Sequence, residues 1–361
     1  MKRLDEKEWK PIYISDIFEF VRGRENNMAM LEDGDIPLIS AKANNNGLKG
    51  FVHSPKKVIT GRCITLNNDG DGGAGLAYYQ PANMALDTHV TALMLRFDMS
   101  MFAMLFIAEC ISGLHGFFGH GLSISNPRAK RMRIMLPVTD SGEPDYDYMA
   151  QYAQQKRDTM LAKYRAYVEA RIAELGEYVE IPALDEKEWK PFSIVDLFSS
   201  IIPGKGKGLN HLKKVCADGV NYIGATNRNN GVLCCVEEDT YSRPMILEGN
   251  CIGFIKNGDG SAGFAIYKAE QFISTSDVLY GYADWLNKFT GLFFVVVQDK
   301  IEHKYSHGYK RNKEHLAGDK VMLPVTDFGE PDYEYMEQYS KNMMLHKYQQ
   351  YLTFAQQRSD A

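Results

Sequence analysis

Two glycine-spaced segments have the pattern that can hold a nucleotide phosphate. Gly70, Gly72 and Gly75 spell G-x-G-x-x-G, and Gly258, Gly260 and Gly263 spell it again. A dinucleotide fingerprint needs these glycines to open a helix after a strand, with an acidic residue ending the next strand. Here they lead into Leu76-Ala77-Tyr78-Tyr79 and Phe264-Ala265-Ile266-Tyr267, which read as strands. The expectation is a hairpin turn. Glu8-Trp9-Lys10 and Glu188-Trp189-Lys190 spell E-x-K, a fragment of a nuclease metal site. That chemistry also needs an upstream aspartate on a neighbouring strand, and Glu8 is too near the start to have one. Both segments read as structural, with Trp9 and Trp189 as apolar anchors. There is no Pro-Pro for an adenine-methylating motif, no P-loop lysine, and no HExxH among the nine histidines. No Ser–His–Asp set can be picked out from order alone. The chain offers no positive sign of a catalytic or metal site of its own.

Cationic segments are more informative. Residues 126–135 hold Arg128, Lys130, Arg131 and Arg133 and no acid; residues 304–313 hold Lys304, Lys310, Arg311 and Lys313 and no acid. Groups that hydrogen-bond phosphates or bases are interleaved: His120, Ser123, Ser125 and Asn126 in the first, Tyr305, Ser306, His307, Tyr309 and Asn312 in the second. Each segment shortly precedes an LPVTD motif, so the two are read as equivalent. Such a footprint suits DNA. Lys42, Asn45 and Asn46 lie in one Asn-Gly loop, and Arg228, Asn229 and Asn230 in another. Asn-Gly pairs form turns, and Asn can also read adenine in the major groove. The turn reading holds unless these loops face the same side as the cations.

The elements that must position these residues come in duplicate. LDEKEWKP occupies 4–11 and again 184–191; LPVTDSGEPDYDYM at 136–149 returns as LPVTDFGEPDYEYM at 323–336. Nearly the whole chain is a tandem repeat with near-identical edges and divergent centres. Such a pattern suggests two modules doing one kind of job on two targets. Each centre carries short strand signals broken by Asn, Gly and Asp turns, then a helical stretch at 102–114 or 285–297. After each LPVTD motif comes a polar helix-forming run, about 145–178 and about 332–358, with acids in its first turn. Its apolar stripe is narrow: Met149, Tyr152, Met160, Tyr164 and Tyr167 in the first, Met336, Tyr339, Met343, Tyr348 and Leu352 in the second. A narrow stripe on a long helix wants a partner helix. The fold class is therefore mixed α/β: two globules separated by two long helices. The alternating order makes the pair antiparallel and the whole pseudo-twofold. The expected domains are residues 1–143 and 181–330, with helices at 144–180 and 331–361.

Composition bounds the rest. The chain has 361 residues, 45% hydrophobic and 24% charged, with formal net charge −5. That is enough for two domains with cores, and it excludes a uniformly basic nucleic-acid coat. The opening MKRLDEKEWK has no apolar core of a signal peptide, and no run approaches the ~20 residues of a membrane span. The six cysteines form no C-x-x-C pair and read as reduced thiols of a cytoplasmic protein.

Taken together, EWKPFSIVDLF with its following NNG, and LPVTDFGEPDYEYM before a long helix, each with a counterpart in the other copy, resemble the specificity subunit of restriction–modification systems. The similarity is to the type I and BcgI-like type IIB kinds. It implies two target recognition domains, each reading half of a bipartite double-stranded DNA site. It implies two antiparallel spacer helices that set the gap and dock methyltransferase or fused methyltransferase–nuclease subunits. Those partners would carry S-adenosylmethionine, Mg²⁺ and all catalysis, leaving this chain non-catalytic and without cofactor. The resemblance carries over to the region before LPVTD and to the loops, with no single base contact assigned. Two alternatives remain at this level: a scaffold or decoy that binds methyltransferase subunits but not DNA, and an independent nucleotide-binding enzyme using the glycine turns.

Overall fold

The computed structural model describes residues 2–26, 30–70, 73–119, 122–216, 218–258, 260–306 and 308–359, with side chains to 356. Gly72 and the expected hydrogen-bonding residues His120 and His307 lie outside the described residues. The chain divides into two compact units, Met1–Arg165 and Ala166–Ala361.

The repeated edge motifs of the first unit are far apart in sequence yet form one joint. Trp9–Tyr13 pairs antiparallel with Arg133–Pro137, with Trp9 opposite Pro137. The Trp9 indole stacks on Phe106 and donates to the Leu4 carbonyl at 2.9 Å. The turn after the second strand is closed by Thr139 N–H to Glu143 O and Gly142 N–H to Thr139 O, with Gly142 at φ +86°. Only glycine takes that conformation without a Cβ penalty. Asp145 then caps the long helix Tyr146–Leu175 by accepting from the Tyr148 N–H at 3.0 Å, and pairs with Lys7 at 2.7 Å. Burial pushes the Asp145 carboxyl up, but the Lys7 ammonium and the Tyr148 N–H outweigh it and hold it below the ordinary range.

Between the ribbon strands sits the globule. A four-stranded antiparallel sheet runs Phe18–Arg22, Val90–Leu95, Cys63–Asn67, Ala77–Gln80. A second sheet runs Leu48–Val52, Asp33–Ile39, Met84–Leu86, Val58–Ile59, with Asp33–Ile39 parallel to Met84–Leu86. Helix Met101–Ser112, capped by Ser100, packs Ala103, Met104, Ile107 and Ile111 on Ile64, Leu66 and Leu93. This core, with Met149 of the long helix, is the dry part of the unit.

The second unit repeats the plan. Trp189–Ser193 pairs with Lys320–Pro324, Trp189 opposite Pro324. Trp189 stacks on Phe293 and donates to Leu184 O at 2.8 Å; Lys187 meets Asp332 at 2.8 Å; Asp332 accepts from the Tyr335 N–H of the helix Tyr333–Ser359. Its antiparallel sheet runs Ser200–Pro203, Val278–Tyr282, Cys251–Ile255, Ala265–Lys268. Its mixed sheet gains an edge strand, Lys214–Val215, beside Val232–Val236. The second copy is longer before its Asn turn, which accounts for this addition. The remaining order is Val220–Ile223, Phe272–Ser274, Ile246–Leu247, and helix Lys288–Gln298 covers the core.

Both long helices form where the sequence places them, and Gly176 at φ +78° ends the first. The stripe behaves differently from the expectation of a partner seam along its whole length. Met149 and Met336 are 0% exposed, and they and the half-buried Tyr152 and Tyr339 pack into their own unit's core, Tyr152 edge-on to Phe106 and Tyr339 edge-on to Phe293. Met160 (69% exposed), Tyr164, Tyr167 and Met343 are largely on the surface, while Tyr348 and Leu352 are half-buried. Within the second unit, the end of the first long helix lies against the second: Tyr167 and Tyr348 share a hydrogen bond, and Val179 exchanges two with Asn342. The contact order runs oppositely along the two segments. The buried residues there are Val168 and Leu345.

Candidate nucleic-acid interface

Each glycine segment is a hairpin. Cys63–Asn67 pairs antiparallel with Ala77–Gln80, and Cys251–Ile255 with Ala265–Lys268. Gly75 at φ +87° and Gly263 at φ +92° close them, and a Cβ there would sit 2.8 Å from the Phe118 or Tyr305 ring. No helix follows, so the backbone N–H groups are not arrayed for a dinucleotide. The nucleotide-enzyme alternative loses its main support.

The Asn loops are left-handed turns. Asn45 and Asn46 have φ +51°, Asn229 φ +49° and Asn230 φ +48°. Four of the residues expected to face a ligand also donate to backbone carbonyls, although Asn46, Asn229 and Asn230 stay exposed. Asn46 donates to Tyr79 O, Asn230 to Tyr267 O, Asn229 to Val232 O, and Lys42 Nζ to Leu48 O. The bonds to Tyr79 O and Tyr267 O fix the turn on the hairpin. Asn45 and Arg228 are exposed as well.

The turns and the cationic segments do share a side. In the first unit the Lys42 carbonyl accepts from Asn67 Nδ2 and Tyr78 OH, which anchors the Asn loop to the hairpin. From the hairpin's other flank Asn68 donates to Ile124 O at 2.7 Å, and Thr91 donates to Asn68 and Asn126. In the second unit a cleft of about 590 Å³ is lined by Thr226, Asn227, Arg228, Gly260 and Ser261. A neighbouring one of about 310 Å³ is lined by Gly258, Gly260, Glu302, Tyr305 and Ser306, among others. The hairpin tip sits between the Asn loop and the cationic segment in both units.

The two cationic segments are equivalent as segments, not residue by residue. In the first, Ser125 caps a short helix, Asn126–Lys130, and Arg128, Lys130, Arg131 and Arg133 are all exposed. Arg128 donates to Ser123 O, and Arg133 lies over the Tyr13 ring at 5.4 Å. In the second, Asn312 caps Lys313–Gly318, so its cations mostly precede the helix. Lys310 and Lys313 are exposed. Tyr309 is exposed and stacks on His315, centroids 4.4 Å apart. Lys304 lies 3.5 Å from Asp319. The residue at the Arg133 position is Lys320, which the sequence reading missed; both are exposed at matching ribbon positions.

Arg311 does not face solvent. It is 0% exposed, with Nε 2.8 Å from Asp319 Oδ2 and one Nη donating to Gly263 O at 3.0 Å and Gln298 Oε1 at 2.6 Å. The guanidinium packs over Phe254 and Tyr305, and the Tyr305 hydroxyl donates to the same Asp319 oxygen at 2.8 Å. Desolvation pulls the Arg311 pKa down, and Asp319 opposes it. The first unit builds this spot without charge. Ile111, Phe118, Ile124 and Met132 stand 187 residues before Gln298, Tyr305, Arg311 and Asp319, and all four join its apolar core. Arg311 is an internal brace, and its assignment as a DNA contact is corrected.

Burial pushes the Cys63, Cys110 and Cys251 thiols up to about 12, which makes them poor nucleophiles. All six cysteines are unbridged. Among the described residues no group of His, Cys, Asp and Glu could hold a metal ion, and no helix is long and apolar enough to cross a membrane.

Residues 6–163 match the type I restriction modification DNA specificity domain. Over 348 residues the chain is 28% identical to the specificity subunit S.BcgI of a type II restriction enzyme from Heyndrickxia coagulans, covering 93% of this chain and 94% of that one. The fold resembles the S subunit of a type I restriction-modification system from M. genitalium, with TM-score 0.52 at 14% identity, covering 99% of this chain and 94% of that one.

Proposed function

We propose that this chain is a specificity subunit of a restriction–modification system and that it reads a bipartite double-stranded DNA site, one half per unit. The carrying observation is the twice-built placement of an Asn turn and a cationic segment on either side of a glycine hairpin. Cations with no ion-pair partner among the described residues, Lys130 and Arg131 above all, position the duplex through its phosphates. Exposed loop residues such as Asn45, Arg228 and Tyr309 lie where base edges would be read. Residues 1–143 and 181–330 act as the target recognition domains, and 144–180 and 331–361 as the spacer that sets the gap. Linking two weak readers on one chain raises the effective concentration of the second once the first has bound. Surface residues of the long helices, including Met160, Tyr164 and Met343, would face methyltransferase or methyltransferase–nuclease subunits. In this reading the chain is non-catalytic and cytoplasmic, and S-adenosylmethionine and Mg²⁺ belong to the partners.

The test is methylome sequencing of cells that co-express the chain with the methyltransferase subunit encoded beside it. A bipartite methylated motif with a fixed gap, absent when the chain is omitted, is the expected result. A partner that co-purifies without any such motif would replace this reading with a scaffold that docks subunits but does not read DNA.

A further inference from the structure

A fourth loop reaches the same end of each unit, and neither copy's sequence advertises it. In the first unit the strand Phe18–Arg22 runs into Gly23-Arg24. Gly23 N–H donates to Val90 O, Arg24 N–H to Leu86 O, and Glu25 bridges in parallel to Asp87. In the second unit the strand Ser200–Pro203 runs into Gly204-Lys205-Gly206-Lys207. Gly204 N–H donates to Val278 O, Gly206 N–H to Ser274 O, and Gly206 bridges in parallel to Thr275. The glycines are required by contact: a Cβ on Gly23 would lie 1.9 Å from Asp87 O, and one on Gly204 2.1 Å from Thr275 O. Each unit thus threads a glycine through the gap between its two sheets and follows it with a cation, Arg24 or Lys205.

The path from this loop to the cationic segment is short. Ser276 O accepts from Lys256 Nζ at 2.8 Å, Lys256 N–H donates to Asp277 O, and Lys256 O accepts from Arg311 N–H. Thr275 N–H donates to Ile223 O, at the end of the strand that leads into the Asn loop. Arg24, Lys205 and Lys207 are exposed. Arg24 and Lys205 have no ion-pair partner among the described residues, and Lys207 lies over the Tyr241 ring at 5.6 Å. Two exposed cations held by backbone at the same place in otherwise divergent loops are placed for a ligand common to both units, and the sugar-phosphate backbone is such a ligand.

We infer that Arg24 in the first unit and Lys205 with Lys207 in the second are DNA-phosphate contacts, a clamp on each half-site from beside the strand that leads into the Asn loop. This rests on the DNA-reading function proposed above. Lys213 and Lys214 supply an internal control. They are exposed lysines of the same stretch, but Lys214 pairs with Val236, at the end of a strand that begins beside the Asn turn, so they lie at the sheet's opposite end.

The experiment is fluorescence-anisotropy binding of the full chain to a 40-bp labelled duplex across a salt series. Each lost phosphate contact lowers the slope of log K against log salt by about 0.9. The expected losses are about 0.9 for Arg24→Ala and about 1.8 for Lys205→Ala with Lys207→Ala, with none for Lys213→Ala with Lys214→Ala. The double variant Lys130→Ala with Arg131→Ala is measured alongside. If that pair lowers the slope and the loop variants do not, the clamp is wrong and the DNA-reading function stands. An equal fall in the Lys213 and Lys214 control would reduce the effect to bulk charge and overturn the clamp. No binding by the unsubstituted chain, or no change in any variant, would overturn both.

Discussion

Removing Arg311 separates an internal brace from a surface contact. Asp319 is 3% exposed and takes its hydrogen bonds from Arg311 and the Tyr305 hydroxyl, with the half-exposed Lys304 at 3.5 Å. Arg311→Ala leaves that carboxylate buried and short of a counter-charge, and strips Gln298 Oε1 of its donor. Breaking a buried pair from one side costs about 3–5 kcal/mol. For a unit of this size that is a fall in melting temperature of roughly 6–20 °C. The first unit shows what removes the penalty. Converting all four positions at once (Gln298→Ile, Tyr305→Phe, Arg311→Ile and Asp319→Met) reproduces its apolar set, and a buried ion pair replaced whole by packed apolar groups is often neutral or stabilising by about 1–4 kcal/mol. The expected melting temperature of the fourfold variant, read by calorimetry on the full chain, is therefore at or above that of the parent. Lys310→Ala is the counterpart, with an unchanged melting temperature and a salt slope lower by about 0.9. An Arg311→Ala chain that melts like the parent yet loses salt dependence would refute the burial argument and return Arg311 to the DNA surface.

Two further predictions concern protons. Asp145 has a folded pKa below its unfolded value, so its stabilisation is complete above the unfolded value of about 3.9 and fades as pH falls through the lower folded one. The urea midpoint of Asp145→Asn should accordingly differ from the parent's at pH 7 and converge on it in strong acid; parallel curves across the range would contradict this. The hydrogen bond that the His89 ring donates to Asp69 at 2.7 Å raises the His89 pKa, against partial desolvation. A raised folded pKa contributes stability below the unfolded value of about 6.5 and loses it as pH climbs through the folded one. The His89 ring resonance should titrate above 6.5 in the parent and move down in Asp69→Asn, and an unmoved midpoint would show that Asp69 is not its partner in solution.

The frame was legible because its residues act locally or through a repeat. Pro, Gly and Asp in SGEPD and FGEPD state a turn and a helix start, and the helices begin at Tyr146 and Tyr333, one residue from the expectation. The hairpin around Gly75 and Gly263 was legible because strand residues follow the glycines. Arg311 was misread because composition counts a cation without saying which way it points. Aligning the copies at their 187-residue offset would have set it against Ile124 and marked the position as core. Met149 and Met336 were misread for a related reason: helical period places them on the stripe, but the joint fixes that first turn against the unit's own core. The loop at Gly23 and Gly204 left almost no trace, since what the copies share there is one glycine and one cation. The close approach that demands the glycine comes from strands more than sixty residues away.

The contrast between the shared edges and the exchanged interior has a physical cause. In the joint, each contact is specific: Trp to a carbonyl, Lys to Asp, Asp to an N–H, glycine at positive φ. Replacing any one leaves its partner buried or unsatisfied, so the set persists as a block in both copies. The site under the cationic segment follows the same rule on a smaller scale. It holds either four apolar residues or a mutually hydrogen-bonded polar set of Gln298, Tyr305, Arg311 and Asp319, and a mixture of the two leaves charge unpaired. The exposed loops carry no such constraint, because water satisfies whatever they present. If the units read DNA as proposed, a new target sequence therefore requires change only in residues whose replacement does not disturb the joint. The frame keeps fixing where the loops stand relative to the start of each long helix, so half-site spacing survives a change of half-site sequence.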